Sequence, residues 1–163
     1  MRAIVVPAGL LTIQSETFRA ALGRSGVRTD KHEGDGATPV AALPLRKILY
    51  RADRLAAPDC AVPVQALGRD DGWCDDPADR QYNRPVRLPF AASAEALWRE
   101  DAVYDIIGVL GWNDHPIEPG RGSAIFLHIA QPDYAPTEGC VALAPDDLRR
   151  VLAMGLTEIV VRA

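Results

Sequence analysis

Thirteen glycines and thirteen prolines are spread through 163 residues, and this punctuation constrains the fold more than any other feature of the chain. Proline has no amide hydrogen to give to a helix, and glycine loses the most backbone entropy when ordered. Breakers at this density favour short strands joined by turns over long helices. Ile4–Val6 and Leu10–Ile13 read as strands around a Pro7-Ala8-Gly9 turn, and residues 1–22 as short strands ending at Gly23-Arg24-Ser25-Gly26. Residues 31–39 (KHEGDGATP) and Asp53 to Pro63 read as connections, with a strand over Val62–Leu67. Residues 68–85 form a long polar loop with aromatics, and a loop of that length usually has a function or is poorly ordered. Ser93 is placed to cap a short helix over Ala94–Glu100. Val103–Leu110 and Ala124–Ile129 read as buried strands. Pro145 starts the clearest helix, with Asp146 and Asp147 in its first turn, Leu148, Val151 and Leu152 on one face and Gly155 at its end. Ile159–Val161 reads as a last strand. The expectation is one mostly β domain over 1–163 with one or two short helices.

Hydrophobic residues at 48% and charged residues at 25% are ordinary globular values and exclude disorder, collagen and coiled coil. A chain of this length buries roughly two thirds of its unfolded surface and needs no disulfide or metal staple. Eighteen basic against 22 acidic residues give a net charge of −4, a balance unsuited to coating nucleic acid or anionic lipid. No apolar run approaches the ~18 residues of a membrane span, so no membrane insertion is expected. Cys60, Cys74 and Cys140 are odd in number and lack CxxC spacing, which argues against a secreted disulfide framework and a structural zinc. Arg2 followed by Ala3 to Ile13 imitates a signal peptide, but Pro7 and Gly9 interrupt the apolar run and no A-x-A site follows. A cytoplasmic location is therefore expected, with the periplasm or cell wall as the alternative.

The stretch with most chemistry is Gly122 to Leu143, GSAIFLHIAQPDYAPTEGCVAL. His128 ends an apolar strand, and Cys140 follows twelve residues later, after Gly139, in the turn-prone segment Pro136-Thr137-Glu138-Gly139. A thiol of pKa near 8.5 is little ionised at neutral pH, but an imidazole within hydrogen-bond reach can take its proton and later return one to a leaving amine. Gly139 lets the backbone approach closely and aim N–H groups at a developing oxyanion, worth about 3 kcal/mol per donor. The bland alternative is equally written in the residues: free cysteine is among the most buried types, and a His flanked by Phe126, Leu127 and Ile129 can be a satisfied core residue.

His128 followed by Thr137-Glu138-Gly139-Cys140-Val141 resembles the signature of the YkuD-like L,D-transpeptidase catalytic domain family: a His, a spacer, then Ser/Thr-His-Gly-Cys and an apolar residue. EGDGATP at 33–39, YRADR at 50–54, GWCDDPADRQYNRPV at 72–86, YD at 104–105 and GSAIFLH at 122–128 resemble one subgroup, so the resemblance covers nearly the whole chain. It implies a mostly β, sandwich-like catalytic domain and a cysteine acyl-enzyme with no cofactor or metal. Cys140 would attack the carbonyl of the L-centre of diaminopimelate in a peptidoglycan stem tetrapeptide, and D-Ala would leave. His128 would serve as base and then acid, oriented by a backbone carbonyl. The N–H groups of Gly139 and Cys140 would form part of the oxyanion hole. An amine acceptor then gives a 3→3 cross-link, and water gives a tripeptide.

The chain departs from the family pattern in several places. The spacer after His128 is short, Glu138 replaces the motif His, Ala142 stands where many members carry a polar residue, and Ala41 stands in a block where Gly is usual. A carboxylate beside Cys140 disfavours the thiolate; the expectation is that Glu138 instead holds the free ammonium of the diaminopimelate D-centre. Thr137 joins it as a substrate contact. Arg84 and Arg121 are candidates for gripping substrate carboxylates, and Tyr82 and Asn83, with Trp73, for lining the cleft. The plainer reading makes the arginines surface charges and the aromatics anchors of their own loop. Cys74 is expected to be structural, Asp75, Asp76 and Asp79 to be loop charges, and His32 and His115 to have no role. A muropeptide or stem peptide is the expected partner. Without a recognisable leader, an L,D-carboxypeptidase trimming recycled tetrapeptides is preferred. An L,D-transpeptidase forming 3→3 cross-links and a catalytically silent peptide-binding module are the alternatives.

Overall fold

A computed structural model describes residues 1–163. Fourteen strands and one helix follow in chain order: β1 (Arg2–Val6), β2 (Leu10–Ile13), β3 (Glu16–Ala21), β4 (Val27–Arg28), β5 (Thr38–Pro39), β6 (Ala42–Tyr50), β7 (Val64–Ala66), β8 (Asp71–Cys74), β9 (Pro85–Arg87), β10 (Ala94–Ala96), β11 (Ile106–Leu110), β12 (Phe126–Ile129), β13 (Val141–Leu143), α1 (Pro145–Ala153) and β14 (Glu158–Val161). The mostly β architecture with a short helix agrees with the sequence. The sandwich-like expectation is sharpened, because the main sheet closes on itself. Its order is β11-β12-β13-β3-β2-β1-β14-β6, and β6 pairs back onto β11 to complete an eight-stranded barrel, with β7 added beside β6. Closure removes the unpaired edges that an open sheet of this size would expose.

The longest strand, β6, makes closure possible. Its Ala42–Pro44 end pairs with β14, and its Leu45–Tyr50 stretch pairs antiparallel with β11, with a register shift at Val109/Leu110. Periodicity does not single it out, because Pro44, Arg46 and Lys47 interrupt its apolar positions. Inside the barrel, alternate residues form the main core: Ala3 and Val5, Leu11 and Ile13, Leu127 and Ile129, Val141 and Leu143. The helix adds Leu148, Val151 and Leu152 to that core, as its spacing predicts. Pro145 opens it without any side-chain cap.

A second, smaller core lies on the outer side of β11 and β12, where Ile107, Val109 and Phe126 meet Trp73 and Leu97. The latter two come from or beside a three-stranded sheet ordered β10-β8-β9. Two expectations are corrected here. Ala94–Glu100 is not a helix: Ala94–Ala96 pairs with β8 in the register Ala94↔Cys74 and Glu95↔Trp73, and Leu97 is buried in the second core. A seven-residue helix is marginal by itself and cannot compete with cross-strand bonds plus that burial. Residues 68–85 are not one loop, because β8 runs through them with Gly72, Trp73 and Cys74 buried. The predicted strands 103–110 and 124–129 are present but shorter, as β11 and β12. No helix is long and apolar enough to cross a membrane.

Candidate active site

Strands β12 and β13 run parallel with His128 opposite Ala142, and Cys140 stands immediately before β13. Their inward partners are Leu127, Ile129, Val141 and Leu143, so alternation sends Phe126, His128, Cys140 and Ala142 to the outer side. His128 and Cys140 there line one cleft of about 410 Å³. The Cys140 thiol donates to the Ala124 carbonyl at 3.3 Å and accepts from the Phe126 N–H at 3.4 Å. His128 Nδ1–H donates to the Ile129 carbonyl at 2.9 Å, which leaves the lone pair on Nε2. The Tyr104 ring stands edge-on to the imidazole, centroids 5.3 Å apart, and fixes its plane.

Both reactive side chains are buried, His128 at 7% and Cys140 at 8% exposure. Burial pushes the Cys140 thiol up to about 12, with the nearby Glu95 charge adding to the effect. Burial likewise pulls His128 down to about 4, against the Ile129 hydrogen bond that favours its cation. The resting pair is therefore a neutral thiol and a neutral imidazole.

Two loops hold Cys140. Gly139 has φ +139°, and a Cβ there would lie 2.8 Å from the Ala37 carbonyl oxygen, so the turn before Cys140 needs glycine. Thr137 Oγ1 accepts the Gly139 N–H at 3.1 Å and donates to the Cys140 carbonyl at 2.8 Å. The loop carrying Ala37 is tied by a Lys31–Asp35 ion pair, both side chains 3% exposed, and by Asp35 bonds to the His32 and Ala37 N–H groups. On the other side, Ala124 adopts φ +53°. Its N–H donates to Asn83 Oδ1 at 3.1 Å, an oxygen that also takes the Trp73 indole N–H at 2.9 Å. Asn83 Nδ2 donates to the Trp112 and Asn113 carbonyls. The Tyr82 hydroxyl donates to Glu33 and accepts the Gly122 N–H, each at 2.9 Å, and Ser123 also bonds Glu33.

The structure thus brings together Cys140, His128, Thr137 and Glu138 along one cleft, with Gly139 beneath them. Several sequence assignments are corrected. Tyr82 and Asn83 are buried and do not line this cleft; they hold the 122–124 segment whose carbonyl receives the thiol. Arg84 faces a different pocket beside Trp112 and Asp114. Arg121 is half exposed and paired with Glu118 at 2.8 Å. Thr137 spends both hydrogen-bonding roles of its hydroxyl inside the turn, so it shapes the turn instead of contacting substrate with that group. Glu138 is 79% exposed at the rim and already paired with Arg24 at 3.0 Å, which leaves its charge compensated. The Gly139 N–H is engaged by Thr137, so its use in an oxyanion hole requires that bond to be exchanged. Sequence reading missed Glu33, Asp75, Glu95, Arg99 and Tyr104 as cleft residues. The 3.6-residue reading of Ala94–Glu100 hid Glu95; read with period two, it falls opposite Trp73 and beside Asp75.

The sequence matches the YkuD family, described as the L,D-transpeptidase catalytic domain, over residues 9–161. No curated protein matches it. Among solved structures, an L,D-transpeptidase from Mycobacterium smegmatis is similar at 12% sequence identity with a TM-score of 0.41. That alignment covers 99% of this chain and 58% of the mycobacterial one, so the chain spans less than two thirds of that protein.

Proposed function

Because the chain belongs to the YkuD family of L,D-transpeptidase catalytic domains, we propose that it is a cysteine acyl-enzyme acting on the L,D peptide bond of peptidoglycan stem tetrapeptides. The observation that carries this reading is the convergence of Cys140 and His128 on one cleft, with His128 Nδ1 tied to a backbone carbonyl so that Nε2 is the free base. As the Cys140 sulfur attacks the carbonyl carbon of the L-centre, its proton passes to His128 Nε2. The tetrahedral intermediate collapses, the C–N bond breaks, and the departing D-Ala amine takes that proton back. A thioester on Cys140 remains. An incoming water or amine gives a proton to His128, attacks the thioester carbon, and the sulfur leaves and is reprotonated.

We favour water as the acceptor, which yields tripeptide and D-Ala. Three free cysteines, which suit a reducing compartment away from the wall, support water over a cross-linking amine. The family description favours the second reading, transfer to an amine to form a 3→3 cross-link. Purified protein given tetrapeptide alone should release D-Ala and tripeptide in equal amounts; dimer as the main product would reverse the ordering. Cys140→Ala should abolish either activity. A mass adduct at Cys140 after exposure to a carbapenem is expected; absence of both adduct and turnover would favour the silent peptide-binding module, for which Glu138 in place of the motif His is the supporting departure. The proposal extends to the compartment: three free cysteines suit a reducing cytoplasm. Recovery of the native protein in the periplasmic or wall fraction would overturn that part.

A further inference from the structure

Four carboxylates line the catalytic cleft, from Glu33, Asp75, Glu95 and Glu138, against the single guanidinium of Arg99. Three of those five groups are already satisfied. Glu138 is paired with Arg24, Glu33 receives the Tyr82 and Ser123 hydroxyls, and Arg99 is chelated by Asp101 at 2.9 and 2.6 Å. Asp75 and Glu95 stand in no ion pair, and they receive one hydroxyl between them where Glu33 receives two. Glu95 lies directly across from Trp73 in the β8–β10 pairing, and Asp75 is two residues beyond Trp73. The two carboxylates are thus diagonal cross-strand neighbours on one face, within reach of a shared ligand. Glu95 is bonded only by the Tyr104 hydroxyl, and Asp75 Oδ1 is closed off from solvent with no hydrogen-bond partner at all.

An ionised carboxylate withdrawn from water is costly unless a partner compensates it. Here burial raises the affinity of Glu95 for a proton and the neighbouring Asp75 charge adds to it, against the Tyr104 hydroxyl bond and the charge of Arg99, which stands in no ion pair with it. No third metal-ligating side chain gathers with the pair, so the site lacks the ligand number a divalent ion needs. A primary ammonium, with three donors on one nitrogen, can serve both carboxylates at once. The pair is also close to the chemistry. The Glu95 charge is felt by Cys140, and the Tyr104 that bonds Glu95 stands edge-on to His128.

We propose that Asp75 and Glu95 together bind a primary ammonium carried on the side chain of the donor peptide's acyl residue, and so set the enzyme's preference for donors with a free side-chain amine. This rests on the acyl-enzyme reading above and deepens it, and it transfers to Asp75 and Glu95 the role that the sequence assigned to Glu138. The test compares tetrapeptides whose distal diaminopimelate amine is free or acetylated. Binding is measured by calorimetry on Cys140→Ala, where turnover cannot intervene. The free amine should bind about 30-fold more tightly, the worth of a hydrogen-bonded charge pair. That ratio should fall to about threefold or less when Asp75→Asn or Glu95→Gln is added, each checked for an unchanged melting transition. A ratio near one in Cys140→Ala, or an undiminished ratio in both folded variants, overturns the proposal. In the otherwise unmodified enzyme, hydrolysis of the donor alone should show the same preference in kcat/KM; a preference seen only in transfer to an added amine would assign the carboxylates to the acceptor and overturn the donor assignment. Acylation of the unmodified enzyme by a penem lacking any amine reads the acyl-enzyme reading separately, since it does not involve the ammonium.

Discussion

Cys140 and His128 are reactive groups held in their uncharged forms by the same burial. Base catalysis by His128 needs the neutral ring, and with its pKa near 4 that form persists well below the range of a solvated imidazole. For a donor without a side-chain amine, where the Glu95 charge plays no part, the kcat/KM profile should therefore stay flat from pH 7 down through pH 5 and fall only near 4. An acid limb at 6 to 7 would mean that the imidazole is solvated or paired with thiolate in the working enzyme. His128→Gln should lower kcat/KM by at least ~100-fold, the usual worth of a positioned general base. Gly139 is tested by Gly139→Ala, whose methyl would meet the Ala37 carbonyl 2.8 Å away at a left-handed φ. About 2 kcal/mol or more of stability should be lost, read by urea denaturation, together with at least tenfold in kcat. Cys140, His128 and Gly139 were legible as residues, since each type carries its chemistry wherever it stands. Their partners were legible only in part: the resemblance implied a backbone carbonyl for His128 but not Ile129, and Thr137 was read as a substrate contact, because these groups act through backbone atoms or internal bonds that no side-chain identity announces.

Parallel pairing of β12 and β13 is the arrangement that turns a twelve-residue separation into a site. Eleven residues between the strands return the chain to the same end of the barrel, so His128 and Cys140 emerge on one face as diagonal neighbours, His128 level with Ala142. The wall facing them depends on Asn83, whose amide joins β8, the 112–113 turn and Ala124 through four bonds. Asn83→Ala leaves buried donors and acceptors unpaired and should cost about 2–4 kcal/mol in urea denaturation, while lowering kcat more than it raises KM. Equal damage to kcat and KM would argue for the substrate contact that the sequence suggested. Elements were legible where a local signal agreed with the final context, as in the proline-started α1 and the alternating β1 and β2. Signal and context parted in β10, where an alanine-rich segment was drawn into a sheet by Trp73 and by the pocket for Leu97.

Across the whole molecule, the buried pair of His128 and Cys140 makes stability depend on pH. His128 has a folded pKa below its unfolded value of 6.5, so between 6.5 and about 4 the unfolded chain binds the extra proton. The stability of the buried neutral ring is present above 6.5 and lost as pH falls, about 3 kcal/mol in all. Cys140 has the opposite sense: its folded pKa is raised from 9.0 to about 12, so stability is present below 9 and lost as pH rises through that interval. Urea midpoints should peak between these limits. His128→Gln should lessen the slope on the acid side and Cys140→Ala that on the alkaline side, where buried Tyr82 and Tyr104 retain the rest; a variant that shifts the whole curve without changing its slope would refute the assignment. Closure of the barrel links distant parts of the chain as well, since β14 is held between β1 and β6.

By itself the sequence determined the class of fold, through its breakers and period-two apolar positions, and pointed to Cys140 and His128 as the proposed nucleophile and base, through a local motif. Both are short-range properties, set by backbone sterics and by residue type over a few positions. Tertiary structure alone decided that the sheet closes, that Glu138 is spent on Arg24, and that Asp75 and Glu95 stand together unpaired in the cleft. Those depend on which segments meet across long stretches of chain. The free energy of a charge depends on its neighbours and its access to water, and these exist only once the fold has formed.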